Sequence, residues 1–288
     1  CKHCDAKMTF HYNYNRVVCH HCENRLKPPS SCPQCQSSQL IATGEGTERS
    51  EMMLKEKFPS TQILRVDRDT NLKRGYMQEV VNTVQTGVPC ILIGTQMLAK
   101  GHDFPNVTLV VIVDADSSLF SPDFRATERM GQLITQVAGR SGRGKLPGQV
   151  LVQTHQPGHP ALDLLFKQGY RSFAQRLLSD REVFQLPPHS YLALVRAEAN
   201  DAASAEKFLI AARQVAENIL NIPSRISYLG PLPALMERRA GRYRYVLRIE
   251  ATRRTVLSEL LTQLALALES NHRDHRVRWC IDVDPHEL

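Results

Sequence analysis

Six of the chain's eight cysteines fall within its first 35 residues, as three Cys-x-x-Cys pairs: Cys1/Cys4, Cys19/Cys22 and Cys32/Cys35. No other feature constrains the fold as strongly. Two thiolates at this spacing grip one tetrahedral ion from a single tight turn, and two such turns complete a four-sulfur zinc site. Fourteen residues separate the first two pairs, a length typical of a zinc ribbon, with Thr9–Tyr12 and Arg16–Val18 as its short strands. Such a module is held by its metal rather than by an apolar core. A disulfide framework would need a secretory context, and no signal peptide is recognisable. A thioredoxin-like redox pair is the other use of this spacing, but three clustered pairs argue against it. The third pair, Cys32/Cys35, lacks two ligands. His3, His20 and His21 are candidates nearby, and a further Cys-x-x-Cys upstream of Cys1 is the other source. The first residue is not Met, so either the start was removed or the chain is the tail of a longer protein. Four sulfur ligands leave no open position, so these sites are expected to be structural rather than catalytic.

After Ile41 the pattern changes. A helix over Ser50–Phe58 is followed by a strand over Thr61–Val66, a helix over Lys73–Thr86 stopped by Gly87, and strands over Pro89–Gly94, Val107–Val113 and Gln149–Thr154. Thr127–Ala138 is the helix between the last two strands. Apolar strands alternating with helices predict an α/β unit, a parallel sheet with helices on both faces. A helical connection over Ala161–Phe184 leads to Pro187-Pro188. Beyond it, strands at Leu192–Ala197, Ile226–Leu229, Arg244–Glu250 and Val277–Val283 alternate with helices at Ala202–Leu220 and Thr255–Leu268. That βαββαβ order predicts a small α+β domain of the ferredoxin-like or ribosomal-S10-like type. Cys90 and Cys280 lie in apolar runs and are expected to be buried structural thiols. The resulting division is 1–42 zinc module, 43–158 α/β unit, 159–186 helical connector and 187–288 α+β domain.

Thirty-six Lys and Arg against 29 Asp and Glu give a formal charge of +7 and a pI near 9.0, which favours a polyanionic partner. The longest apolar run, Val107–Val113, is far too short to span a bilayer, so no membrane role is expected.

Two stretches carry residues suited to chemistry. Gly94–Pro105 (GTQMLAKGHDFP) follows a buried strand, where α/β sheets place ligands. In Gln136–Gly144 (QVAGRSGRG), Gln136, Arg140 and Arg143 are four and three residues apart, steps that share one face of a helix. Two guanidiniums and an amide so placed suit a γ-phosphate. A phosphate-binding loop is not found: Gly139–Leu146 comes close, but Leu146 stands where a Mg²⁺-ligating hydroxyl belongs. The strand ending at Asp114 has Ala115 where a catalytic Glu would follow, so it reads as an ordinary strand. Near the end of the chain, Arg238-Arg239-Ala240-Gly241-Arg242-Tyr243-Arg244-Tyr245 interleaves basic and aromatic residues, suited to phosphates, bases or an acidic peptide.

The two stretches resemble motifs V and VI of superfamily 2 helicases, in the second RecA-like lobe. The ordered set of Cys pairs, Gly44-x-Gly46-Thr47-Glu48, Asp67-Arg68-Asp69-Thr70, Phe124-Arg125-Ala126-x-Glu128-Arg129, Gln153-Thr154-His155, Leu186-Pro187-Pro188 and Asp282-Val283-Asp284-Pro285 resembles the PriA family of bacterial replication-restart helicases along the whole chain. The resemblance implies a cytoplasmic, ATP-dependent 3′-to-5′ DNA helicase acting in primosome assembly at stalled forks and D-loops. It implies a zinc module inserted in lobe 2, with two Zn²⁺ ions bound in nested order. Cys1, Cys4, Cys19 and Cys22 would hold one ion, and Cys32 and Cys35 would share the second with an upstream pair. By the same resemblance Gln136, Arg140 and Arg143 face ATP, Arg143 as the favoured arginine finger, with Thr95 and Gly101 on the nucleotide side and Lys100 at DNA phosphate. Arg238, Arg239, Arg242, Tyr243 and Arg244 would contact DNA or the acidic tail of single-strand-binding protein. ATP and Mg²⁺ binding would require lobe 1, so the chain alone is expected to be inactive. The alternative is a non-enzymatic zinc-ribbon nucleic-acid-binding protein with a degenerate RecA-like lobe.

Overall fold

The computed structural model describes residues 1–11, 14–40, 46–67, 70, 75–95, 104, 107–139, 148–219, 226–271 and 276–286. They form two compact units. One comprises Cys1–Phe10, Asn15–Pro28 and Leu178–Leu288; the other comprises His11–Tyr14 and Pro29–Leu177.

The cysteine-rich start forms a three-stranded sheet in the order β1 (Thr9–His11), β2 (Arg16–Val18), β3 (Arg25–Leu26). The third strand was not anticipated, because two residues carry no periodicity. Among the described residues of 1–28, only Cys4, His11 and Cys19 are buried. This segment therefore has no apolar core, and two of its three buried side chains are sulfur ligands.

The α/β unit begins with α1 (Thr47–Lys57), β4 (Gln62–Val66), α2 (Tyr76–Gln85) and β5 (Cys90–Gly94). β4 and β5 pair in parallel, from Gln62 opposite Cys90 to Val66 opposite Gly94. Val66 is buried, as are Val80 and Val84 of α2, four residues apart on one helical face. Gly87 follows the last turn with φ +76°, the left-handed conformation that lets glycine end a helix. Then come β6 (Leu109–Ile112), α3 (Asp116–Leu119), α4 (Ala126–Ala138) and β7 (Gln149–Val152). β6 and β7 are again parallel, Leu109 opposite Gln149. The parallel pairing expected from the apolar runs is thus present, as two pairs among the described residues. Exposure alternates along β6 and β7, leaving Leu109, Val111 and Leu151 uncovered.

Helix α5 (Pro160–Val183) fills the expected connector but is broken at Gly169, whose φ of 82° and ψ of 174° belong to no helix. Residues on both sides of the break, Leu162 and Leu165 before it and Phe173 after it, complete a core with Ala115, Leu119, Met130 and Ile134. Helix α4 meets this core through Gly131: a Cβ there would sit 2.3 Å from the Phe173 ring.

The α+β domain runs β8 (Tyr191–Ala199), α6 (Ala202–Ile219), β9 (Ile226–Arg239), β10 (Arg242–Ala251), α7 (Arg254–Asn271), β11 (Arg278–Val283), the expected βαββαβ sequence. The sheet order is β11-β8-β10-β9 with all neighbours antiparallel, the ferredoxin-like arrangement. Ala205, Leu209, Ala212 and Ala216 repeat at steps of four, three and four along α6; they pack with Leu260 and Leu264 of α7 on Val195, Ala197, Leu247 and Ile249. Each fully buried leucine contributes about 1.5–3 kcal/mol. The opposite face carries cross-strand ion pairs, Arg196–Asp282 and Arg244–Glu198, both at 3.0 Å.

Two local readings change. The strand expected over Ile226–Leu229 continues to Arg239, although Pro231 and Pro233 lie within it. β9 is an edge strand, the place in a sheet where proline is tolerated, and its pairing with β10 carries register shifts in this region. Cys280, expected to be buried, is exposed. Strand alternation turns Trp279 and Ile281 toward the core and Cys280 outward. Cys90 is half-buried, and burial raises its thiol pKa.

Gly131→Ala should force the buried Phe173 ring off its seat and destabilise the fold by about 1–3 kcal/mol. The shift of the urea midpoint measures this; an unchanged midpoint would show that the ring has room to move.

Candidate functional site

The sulfur atoms of Cys1, Cys4, Cys19 and Cys22 all lie within 4.8 Å of one another. Cys1 Sγ and Cys22 Sγ are 3.7 Å apart. A tetrahedral zinc with Zn–S bonds of about 2.3 Å needs sulfurs about 3.8 Å apart, so the four residues fit the ion. The backbone explains the convergence. Asp5 N–H donates to Cys1 O at 2.9 Å and Glu23 N–H to Cys19 O at 2.7 Å, closing each pair into a knuckle. Asp5 and Glu23 have φ of 46° and 61°. Burial pushes the Cys19 thiol up, but N–H groups of His21 and Cys22 more than offset it, and its pKa is lowered. At Cys22 the Asn24 N–H acts to lower the pKa, yet burial and the sulfurs of Cys4 and Cys19 prevail and raise it. Four sulfurs this close resist four negative charges unless a cation sits among them.

The third pair has the same knuckle. Gln36 N–H donates to Cys32 O at 2.9 Å, and Gln36 has φ of 59°. Backbone N–H groups of Cys35 and Gln34 lower the Cys32 pKa. Among the described residues it joins no group of three or more potential ligands: the one such cluster is that of Cys1, Cys4, Cys19 and Cys22.

Two motifs that the sequence singled out without a role come together at the carboxyl end of β4. Thr47 Oγ1 donates to Asp67 Oδ2 at 2.7 Å, and Thr70 N–H to Asp67 Oδ1 at 2.9 Å. The Arg65 guanidinium lies 3.2 Å from Glu48, 3.0 Å from Glu51 and 3.1 Å from Asp67. His11 Nδ1 is 3.1 Å from Glu48 Oε1. Burial pushes Asp67 up, but the Thr70 N–H, the Thr47 hydroxyl and Arg65 together hold its carboxyl below the usual range. One cation meeting three carboxylates is a brace tying α1 to β4. Sequence spacing could not reveal it or the contacts around it, because Thr47 and Asp67 are 20 residues apart and His11 and Glu48 are 37 apart.

Of the residues expected near nucleotide, Thr95 is exposed just after β5 and Gln136 is exposed on the last turn of α4. Lys100, Gly101, Arg140 and Arg143 lie outside the described residues.

The basic–aromatic run forms a hairpin. Arg238 and Arg239 end β9, Arg242–Arg244 begin β10, and Ala240 and Gly241 make the two-residue turn with φ of 50° and 81°. Positive φ at both positions is the requirement of a type I′ turn. Arg244 is committed to Glu198, and the Arg238 guanidinium lies 5.1 Å over the Tyr243 ring. Arg239 is exposed. Arg238 Nε and Arg242 Nη1 are buried without a hydrogen-bond partner among the described residues. The turn's amides face the first knuckle: Ala240 N–H donates to Cys4 Sγ at 3.1 Å and Gly241 N–H to His3 O at 2.8 Å.

Two outcomes follow from these sites. Cys19→Ser should abolish tight zinc binding at the four-sulfur site, whereas Cys32→Ser should leave that ion in place; metal analysis after dialysis reads both. Asp67 has a lowered pKa in the folded state, so its stabilising contribution is present above the ordinary carboxylate value and is lost as pH falls below about 4. Asp67→Asn should therefore lower stability at pH 7 and flatten its decline below about pH 4 in urea titrations.

Three family models match the chain in order: the PriA DNA helicase Cys-rich region over residues 1–27, the helicase conserved C-terminal domain over 34–145, and the primosomal protein N C-terminal domain over 182–286. The replication restart protein PriA of Haemophilus influenzae is 43% identical over 290 residues, covering 100% of this chain and 39% of its own length. That of Bacillus subtilis is 37% identical over 289 residues, covering 100% and 36%. That of Chlamydia trachomatis is 36% identical, covering 99% and 38%. The chain thus spans about two-fifths of the length of these curated relatives. Among the described residues no helix is long and apolar enough to cross a membrane. With its four-cysteine cluster, its parallel helicase-type strands and its ferredoxin-like tail in the order of those models, the chain belongs to the PriA family of replication restart proteins.

Proposed function

We propose that this chain is the carboxyl-terminal part of an ATP-dependent DNA helicase that moves 3′ to 5′ and acts in replication restart at stalled forks and D-loops. The observation that carries the reading is the helicase C-terminal match over residues 34–145, which contains both Gly94–Pro105 and Gln136–Gly144. In this reading Arg143 and Arg140 offset the charge that develops on a transferred γ-phosphate, and Gln136, exposed at the end of α4, polarises the same region. Thr95 and Gly101 lie on the nucleotide side, with Lys100 on DNA phosphate. ATP and Mg²⁺ are held chiefly by a first RecA-like lobe, so the chain alone neither hydrolyses ATP nor unwinds DNA.

The four-sulfur zinc is structural, since no ligand position stays open. A second zinc at Cys32 and Cys35, completed by two further ligands, is supported by their knuckle backbone, the same as that of the first two pairs. Forked and single-stranded DNA, the acidic tail of single-strand-binding protein and primosome proteins are the partners. Within the hairpin, Arg239 and Arg242 are the best placed for them. Arg238 and Tyr243 act as a stacked pair, and Arg244 acts through its neighbours, being already paired with Glu198.

Arg143→Ala in the whole protein, carrying both lobes, should cut DNA-stimulated ATP hydrolysis by about a thousandfold or more while DNA binding persists. Hydrolysis at the wild-type rate would remove the finger assignment. A non-enzymatic binding protein would show no DNA-stimulated hydrolysis in either form.

A further inference from the structure

We propose that the β9–β10 turn is a clamp on the zinc site, so that metal occupancy and the geometry of the basic hairpin are coupled. Two consecutive amides of the turn reach the first knuckle: Ala240 N–H donates to the Cys4 sulfur at 3.1 Å, and Gly241 N–H to the His3 carbonyl at 2.8 Å. Cys4 is wholly buried. The two partners are 236 residues apart, so this is a tertiary contact and not part of the local knuckle.

The chemistry of the ligand set gives the contact its purpose. Four thiolates around Zn²⁺ leave a net charge of about −2. Donors to the sulfurs spread that charge and stabilise the metal-bound form, as outer-shell partners of metal ligands do. The local knuckles supply such donors, among them the His3 N–H 3.4 Å from Cys1 Sγ. The turn adds one from outside, between the cations Arg239 and Arg242. Ala240 holds a left-handed φ of 50°, which a residue with a Cβ adopts reluctantly and which aims its N–H at Cys4. A free two-residue turn would favour Asn or Gly there.

Coupling of this kind is reciprocal. The clamp tightens zinc, and zinc fixes the turn. Loss of the ion would release Ala240 and Gly241 and with them the bases of Arg239 and Arg242. The hairpin would then present its guanidiniums in a defined geometry only while the ribbon is loaded. This inference needs only the zinc site and not the helicase reading.

The test uses the entire 288-residue chain loaded with zinc. Amide hydrogen exchange is followed in the wild type with and without the ion, removed by a chelator. Ala240 and Gly241 should exchange at least tenfold faster without zinc, while Leu264 in the domain core should not change. Zinc affinity is then measured by chelator competition in Ala240→Pro, which lacks the donor, and Ala240→Gly, which keeps it. The proline variant should bind zinc at least tenfold more weakly and the glycine variant within about threefold of wild type. Unchanged exchange at Ala240 and Gly241 on zinc removal overturns the proposal. Wild-type zinc affinity in the proline variant also overturns it. If that variant fails to fold, the exchange result on the wild-type chain decides alone.

Discussion

The gathering of four cysteine sulfurs within 4.8 Å of one another is the constraint on which the start of this chain depends. Without a cation, those sulfurs repel each other as soon as they ionise, and the residues around them bury nothing else of consequence. With one, each Cys-x-x-Cys knuckle becomes a rigid corner, and the three short strands between and after the corners are held by geometry rather than by hydrophobic burial. The knuckle backbone is ready for this: in all three pairs the residue after the second cysteine takes a positive φ and closes back on the carbonyl of the first. Neither Asp5, Glu23 nor Gln36 is the glycine that such a conformation favours, so in each pair the turn is held by its hydrogen bond to the first cysteine's carbonyl.

The other parts of the molecule solve the same problem of cohesion by different means. The ferredoxin-like domain relies on area, with two helices laying leucines and alanines onto a four-stranded sheet. The α/β unit uses a smaller apolar core around Phe173 and, separately, an ionic brace in which Arg65 answers Glu48, Glu51 and Asp67. Removing one partner of such a brace leaves unpaired charge in a half-buried place, so breaking it is destabilising. The brace joins Thr47 and Glu48 of one sequence motif to Asp67 and Thr70 of another, and so accounts for both in structural terms.

Much of the fold was legible in the sequence. Apolar runs gave the strands, helical spacing gave α2, α4, α6 and α7, and Gly87 marked a helix end as expected. The four-sulfur site was legible from spacing alone, because a chelating turn is a local structure. The errors also have local causes. Two prolines masked the length of β9, since a sequence does not say which strand lies at an edge. Cys280 was misread because an unbroken apolar run hides the alternation of a strand covered on one side. The broken helix α5 had its signal, Gly169, in plain view.

What the sequence by itself determined is what neighbouring residues can settle: which segments are strand or helix, which cysteines pair into knuckles, and which family the motifs belong to. Only the tertiary structure decided the meeting of Thr47 with Asp67 and the approach of Ala240 to Cys4. These depend on contacts between residues tens to hundreds of positions apart. Such contacts are made by backbone N–H groups and by charges common to many residues, so they leave no periodicity or composition for a linear reading to detect.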